Sequence, residues 1–371
     1  MALARGLVDA LRASLVPECD REVVLAAFAS AATGWGGPRG RDGRRASALT
    51  PSGVPFEASV TGGAGRSAAA LRYVTEPGAG LPFFGPRLAA QRRAVADLAA
   101  RLAPAVRAGG DEVRALHDVL FPEPGAVPAR TRFASFVGVV HMPGHPDHLA
   151  GLKVYGNLRA ADPPGAVARL RRRWPGFAVL DDLTCGLAEH TAPLTAQFAA
   201  LEAGEGGLRS KLYVRTRTAG PHGLAALAGR VGADPGALDD ALADGGLAPD
   251  RWARPVFACL ATRADGGGAV ALSVHVAARS ADLGPAAMAG VAGRLAGRHG
   301  DGEGVAALTR AMAAAGPGGG FEVTVVGVGL APGGGVGKVN VYAAPTAAPD
   351  PGGTGARPYS NSGWIGSRVG A

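Results

Sequence analysis

The sequence predicts an α+β fold in which antiparallel hairpins alternate with helices and close into a single barrel of about ten strands, ringed by the helices. Three observations carry this expectation. Four stretches read as strand pairs joined by Gly- or Pro-rich turns, and stretches of helical period separate them. The aromatic or imidazole residues that end the patterned strands, Tyr155, Tyr213, His275 and Tyr342, recur at intervals of roughly sixty residues. Closure of such a run leaves no exposed sheet edge.

In chain order, two helices are expected within about 1–33, then a loop rich in Gly, Pro and Arg at about 34–52. VPFEASVT and SAAALRYVTE form the first hairpin around GGAGR, and a long helix is expected at about 85–119. The second hairpin is RFASFVGVVH and LAGLKVYGNL around MPGHPDH. Helices follow near 164–174 and 189–203, then the strand LRSKLYVRT and further helix at about 221–245. PVFACLATR with AVALSVHVAA and GFEVTVVGVG with VGKVNVYAA make the last two hairpins, with helices at about 285–315 between them. Nine strands are placed this way, and the tenth is expected without a position. One domain over 1–371 is expected, with barrel repeats over about 50–345 and a C-terminal tail, about 346–371, expected to be flexible.

The 371 residues, 47% apolar, are enough to bury a large core. A formal net charge of +8 favours an anionic partner: nucleic acid, a membrane surface or a phosphorylated small molecule. The densest basic clusters, GRDGRR at 40–45 and RLRRRW at 169–174, are short and read as a solvated loop and a helix face. Cys19, Cys185 and Cys259 are far apart and form no CxxC, so neither a disulfide framework nor a zinc site is expected. MALARGLVDALRASLVPE is spaced as an amphipathic helix without a continuous apolar core, and no apolar run approaches the ~20 residues of a membrane span. A soluble protein of the reducing cytoplasm is expected.

The chemistry is concentrated in four strands. Lysine occurs only at Lys153, Lys211 and Lys338, although Lys and Arg together number 38. All three lysines, and three of the five tyrosines, fall on Lys153-Val-Tyr155, Arg209-Ser-Lys211-Leu-Tyr213, Ser273-Val-His275 and Lys338-Val-Asn340-Val-Tyr342. Alternate residues of a strand share one face, so each strand has a polar, cationic and aromatic side. In a barrel that side can point into the lumen and make a wet, positive chamber with aromatic walls. A prenyl diphosphate suits it: the cations hold the diphosphate as its C–O bond breaks, and tyrosine faces shield the allylic cation.

These strand patterns resemble the aromatic prenyltransferases of the ABBA (PT) barrel fold, specifically the bacterial-type dimethylallyltryptophan synthase (indole prenyltransferase) family. Pro55-Phe56-Glu57-Ala58-Ser59 resembles that family's P-x-E-x-S strand, and Arg72-Tyr73-Val74-Thr75-Glu76-Pro77 its R-[FY]-x-x-E-P strand. The matches run in order over about 50–345. The resemblance implies that Arg72, Lys153, Arg209, Lys211 and Lys338 bind diphosphate, that Tyr155, Tyr213 and Tyr342 shield the cation, and that Glu57 accepts a hydrogen bond from the indole N–H. It implies dimethylallyl diphosphate and L-tryptophan or another indole acceptor as partners, no nucleic acid or membrane, and a monomer or homodimer.

Two positions depart from the pattern. Ser273-Val274-His275 stands where the family commonly has Gln-x-Tyr, so His275 joins the expected diphosphate ligands. Some members carry a lysine where this chain has Val140 and His141, which makes His141 a candidate for the base that removes the ring proton, beside the reading of a turn histidine with no role. No metal or cofactor is expected to be required. Asp239-Asp240 with Asp244 has one residue too many for DDxxD and reads as the polar face of a short helix, and GPGGG at 316–320 and APGGG at 331–335 lack phosphate-loop spacing. A phenolic, polyketide or peptide acceptor, or a polyanion-binding barrel without catalysis, are the alternative readings.

Overall fold

In the computed structural model, residues 1–36, 46–62, 70–127, 131, 133–160, 163–188, 194–216, 222–247, 255–300, 302–316, 320–331 and 334–346 are described. The GRDGRR cluster, most of the GGAGR turn, and the expected tail beyond Thr346 lie outside them. Helix pairs and hairpins alternate five times: α1 (Ala2–Leu15), α2 (Arg21–Ala31), β1 (Phe56–Gly62), β2 (Leu71–Thr75); α3 (Phe84–Ala99), α4 (Pro104–Leu120), β3 (Ser135–His141), β4 (Gly151–Asn157); α5 (Pro163–Arg173), α6 (Pro175–Ala188), β5 (Leu194–Gly204), β6 (Gly207–Thr216); α7 (His222–Arg230), α8 (Pro235–Asp244), β7 (Phe257–Arg263), β8 (Ala271–Ala277); α9 (Pro285–His299), α10 (Gly302–Ala315), β9 (Phe321–Leu330), β10 (Val336–Pro345). Each strand pairs antiparallel with its neighbour, and β10 pairs with β1 to close the barrel.

The strands invert the usual division between core and solvent. Their outward residues are the apolar ones: Phe56, Ala58 and Val60 on β1, Leu152 and Val154 on β4, Leu272, Val274 and Val276 on β8, all buried against the helices. Burying each larger side chain contributes roughly 1.5–3 kcal/mol, which is what seats the helical ring on the barrel. The contact is close at Gly156 of β4, where any Cβ would overlap Leu120 of α4. Asp20 caps α2 by accepting from the Val23 N–H (2.9 Å), and prolines open α4, α8 and α9 in the first turn, where no N–H is needed.

Two expectations are corrected. The single helix over 85–119 is two helices, because Pro104 starts a new one after a break at 100–103. The helix expected at 189–203 is instead the missing tenth strand, β5, while the helix of that unit, α6, lies earlier at Pro175–Ala188. The alanines of LTAQFAALEAG have high helix propensity, but the stretch pairs on both sides, with β4 and β6, and the turn into β6 uses Gly207 at φ 85°.

The segment 46–54 crosses one end of the barrel and is fastened by buried polar contacts. Ser47 Oγ (2.6 Å) and the Ala48 N–H (3.2 Å) donate to Glu76 Oε2, while Arg87 Nη1 of α3 donates to Glu76 Oε1 (3.1 Å) and to the Ala46 carbonyl (3.2 Å). Ser52 Oγ donates to the Pro345 carbonyl (2.9 Å) and ties the segment to β10. Leu49 is thereby pressed onto the apolar end of the lumen. Glu76→Gln removes the carboxylate of a buried ion pair and is expected to destabilise the fold by about 3–5 kcal/mol. A lower midpoint of urea unfolding at unchanged slope is the measurement that shows it.

Candidate active site

Because side chains alternate along each strand, the residues between the apolar ones all face the lumen. Arg72 of β2, Lys153 of β4, Arg209 and Lys211 of β6, and Lys338 of β10 converge on one cavity of about 140 Å³. Tyr155, Tyr213 and Tyr342 line the same cavity, with His275 between the last two. Residues as far apart in sequence as Arg72 and Tyr342 thus meet, and every cation and tyrosine expected at the diphosphate or the shield is among them.

The charges are crowded. Five cations face one carboxylate, Glu202 of β5, which is paired with Lys211. Burial, and then repulsion from Lys211 and Arg209, push the Lys338 ammonium down to about 7. Lys153 and Lys211 are also lowered, first by burial, with Glu202 opposing the shift. Burial alone would raise the Glu202 carboxyl, but Lys211 and Lys153 outweigh it and hold it well below the usual carboxylate range. A bound polyanion relieves this repulsion, so the chamber is built to gain from one.

Lys153 shows what the rings can hold. Its ammonium donates to Tyr213 Oη at 2.6 Å and lies 4.1 Å from the centroid of the Tyr155 ring and 5.1 Å from that of Tyr213. The two rings are 5.6 Å apart, and Tyr342 sits 5.8 Å from His275. Burial raises the phenol pKa of Tyr155, Tyr213 and Tyr342, so all three remain uncharged donors with intact π-faces. Arg72 Nη1 donates to Thr61 Oγ1, which donates to Asn340 Oδ1 at 2.8 Å, a relay across the strands that close the barrel.

The other end of the lumen is apolar. Val74, Phe136, Phe198, Phe257 and Ala277 form it under Leu49. A smaller cavity there is lined by Glu57, Thr324, Phe257 and Arg279, and His275 lines both cavities. Burial pushes the Glu57 carboxyl up to about 7, a shift partly opposed by Thr324 Oγ1, which donates to Glu57 Oε1 at 2.5 Å. The lumen therefore runs from a cationic end past a belt of rings to a largely apolar end where Glu57 and Arg279 line the smaller cavity. It can bind a polyanion, stabilise negative charge as it develops, and shelter a carbocation beside a flat apolar ring.

His141 is corrected. It ends β3 on the outward face, fully buried, stacked on Tyr73 with centroids 5.9 Å apart and Nε2 3.5 Å from the Tyr73 hydroxyl. Its neighbour Val140 lines the lumen instead, and the His141 imidazole does not. Sequence reasoning also missed Glu202, hidden in the stretch read as helix. The signal was present: a Gly-rich turn at 204–207 directly before a patterned strand calls for an antiparallel partner just upstream. Thr324, which orients Glu57, carried no signal of its own. Three of the four RLRRRW arginines are taken up by neighbours, Arg169 by the Val119 carbonyl (2.7 Å), Arg171 by Asp181 (2.6 Å) and Arg173 by Glu112 (2.7 Å), while Asp239 and Asp240 are exposed on α8. Among the described residues no group of three or more His, Cys, Asp or Glu could hold a metal ion, and no helix is long and apolar enough to cross a membrane.

No family model and no curated protein matches the chain. Solved structures do. The 5-dimethylallyltryptophan synthase from Streptomyces coelicolor is 20% identical, with a TM-score of 0.66 over 92% of this chain and 96% of that one. The 6-dimethylallyltryptophan synthase from Micromonospora olivasterospora, solved in complex with DMASPP and Trp, is 19% identical, with a TM-score of 0.68 over 94% of this chain and 100% of that one. AnaPT from Neosartorya fischeri is 15% identical, with a TM-score of 0.57 over 81% of each chain. The closed ten-stranded barrel ringed by helices is thus an ABBA (PT) barrel, the fold that this chain shares with these structures.

Proposed function

We propose that the protein is a single-domain indole prenyltransferase that moves a dimethylallyl group from dimethylallyl diphosphate to the ring of tryptophan or a tryptophan-derived compound. The observation that carries this reading is the convergence of five cations and three tyrosines in one closed lumen, with a buried carboxyl at its apolar end. The bacterial tryptophan prenyltransferases of the same fold support it, one of them solved with a donor analogue and Trp.

In this reading Arg72, Lys153, Arg209, Lys211 and Lys338 hold the diphosphate, and their charge stabilises the leaving group as the C–O bond breaks. Tyr155, Tyr213 and Tyr342 shield the allylic cation, an interaction worth ~2 kcal/mol or more when desolvated. Glu57 accepts the indole N–H and feeds electron density to the ring, which captures the cation. Leu49 and the helical ring keep out water, which would divert the cation to an alcohol. The five cations supply the electrostatic work that a divalent ion does elsewhere, so we propose that the reaction proceeds without a metal. The free Cys19, Cys185 and Cys259 suit a reducing cytoplasm.

The direct test is purified protein with tryptophan and dimethylallyl diphosphate in chelator, read by mass. Gain of one C5 unit on tryptophan is expected. Prenylation of naphthalenediol or a peptide but not of tryptophan would move the assignment to the phenolic or peptide reading, and donor binding with no product on any of them to the non-catalytic one.

Two variants probe the parts. Glu57→Gln keeps donor affinity and lowers kcat/KM for the indole roughly 10²-fold, the scale of a lost proton-accepting group. In the wild type that kcat/KM rises with pH as Glu57 ionises near 7, because only the carboxylate accepts fully; the Glu57→Gln profile lacks this limb. For Lys153→Arg, the planar fork does not fit between Tyr155 and Tyr213 as the ammonium does, and kcat/KM for the donor is expected to fall by roughly tenfold, about 1.4 kcal/mol. Unchanged activity in Lys153→Arg would show that charge alone is needed there.

A further inference from the structure

We infer that His275 is the base that takes the ring proton after alkylation, and that the diphosphate leaving group switches it on. This rests on the prenyl-transfer reading above. His275 occupies a place that other basic groups of the lumen do not: it lines both the cationic cavity and the smaller cavity that holds Glu57. Lys338 and Glu202 reach only the cationic cavity, and Glu202 is committed to Lys211. The imidazole stands in the belt of rings, 6.2 Å from Tyr213 and 5.8 Å from Tyr342, between donor end and acceptor end. Its room is made by Gly327, paired with it on β9, since a Cβ there would lie 2.9 Å from Nδ1.

The groups around it set when it is basic. Lys338 and Tyr342 of β10, Arg209, Lys211 and Tyr213 of β6, Lys153 and Tyr155 of β4, Glu202 of β5, Arg72 of β2, Cys259 of β7, Glu57 of β1 and Arg279 after β8 line the two cavities with it, and β9 presents Thr324, valine and glycine. Burial first, then Lys338, Lys153 and Lys211, hold the ring neutral with a pKa of about 3. Its lone pair is therefore free but weakly basic before substrates arrive. A bound diphosphate neutralises those same three ammonium groups and places its own negative charge in the cavity, so the repulsion from Lys338, Lys153 and Lys211 is removed and burial remains.

The step balances without a co-reactant. Capture of the allylic cation forms the bond to the ring and leaves a ring cation carrying both hydrogen and prenyl group. A ring nitrogen of His275 takes that proton, and the C–H electron pair restores the aromatic sextet. The imidazolium, now beside the diphosphate, passes the proton to a diphosphate oxygen, which leaves as hydrogen diphosphate.

His275→Gln keeps the size and polarity and removes the base; His275→Asn is the second variant should the first not fold. The expected result is a rate of indole prenylation lowered roughly 10²-fold at saturating donor. An isotope effect with ring-deuterated tryptophan, absent in the wild type, should appear in the variant because proton removal has become slow. Separately, NMR titration of the wild-type protein should show the His275 resonance, assigned by its loss in the variant, moving to a higher pKa with inorganic pyrophosphate. That second measurement needs no acceptor. If the wild type fails to prenylate indoles, the functional reading falls, while the titration still decides whether an anion switches His275. A variant with wild-type rate and no isotope effect, or a pKa that pyrophosphate does not raise, overturns the inference.

Discussion

The repulsion among five cations enclosed in one barrel is the constraint on which the rest of the molecule depends. Two unit charges 4 Å apart interact by about 4 kcal/mol at an effective dielectric of 20, so an enclosed cluster of this kind forms only where the surrounding structure forces it. The force comes from the opposite faces of the same strands. Each inward cation or tyrosine is flanked by outward Leu, Val or Phe packed under the helical ring, and slipping one residue in register would expel both sets at once. Glu202 tempers the cluster without cancelling it, leaving a net positive field that suits a polyanion.

The same closure grades the lumen along its length. The cations are crowded at the end lined by Arg72, Lys211 and Lys338, while the other end holds Phe136, Phe198 and Phe257 beneath Leu49, with Glu57 and Arg279 at a smaller cavity there. Leu49 is not held by apolar contact alone. Its segment hangs on Glu76, which stands at the end of β2, three residues from the outward Tyr73 and four from the inward Arg72. One short stretch of chain thus serves three purposes: Arg72 reaches the anion site, Tyr73 fills the layer under the helices, and Glu76 fixes the cover of the apolar end.

How much of this was legible follows from which signals are local. The polar faces of β4, β6, β8 and β10 could be read because alternation is a property of the strand itself, and because lysine is so rare here that three occurrences on one pattern stood out. The hairpin turns gave the strand order. What failed was whatever depended on a partner. The β5 stretch looks helical by its alanines and becomes a strand only because β4 and β6 lie on either side, and Glu202 was lost with it. His141 sits one residue from the lumen-facing Val140, and a shift of one position in a strand reverses the face, so motif proximity could not decide its side. Thr324 meets Glu57 only through closure of the barrel, across almost the whole chain.

The rarity of lysine finds its reason in the same geometry. Arginine meets every need for surface charge in this chain, as Arg171 and Arg173 do in their ion pairs with Asp181 and Glu112. A guanidinium is a plane with a fixed fork of donors, suited to pairing at an edge, whereas an ammonium is a compact charge that can sit between two rings. Lys153 is in that position, against the face of Tyr155 and bonded to the hydroxyl of Tyr213. In that position it marks the place where a second, transient cation could be held by the same faces. In the reaction proposed above, a donor diphosphate that draws the ammonium toward its oxygens would leave those faces open to the allylic group, so that one residue would both bind the leaving group and vacate the shelter that the resulting cation needs.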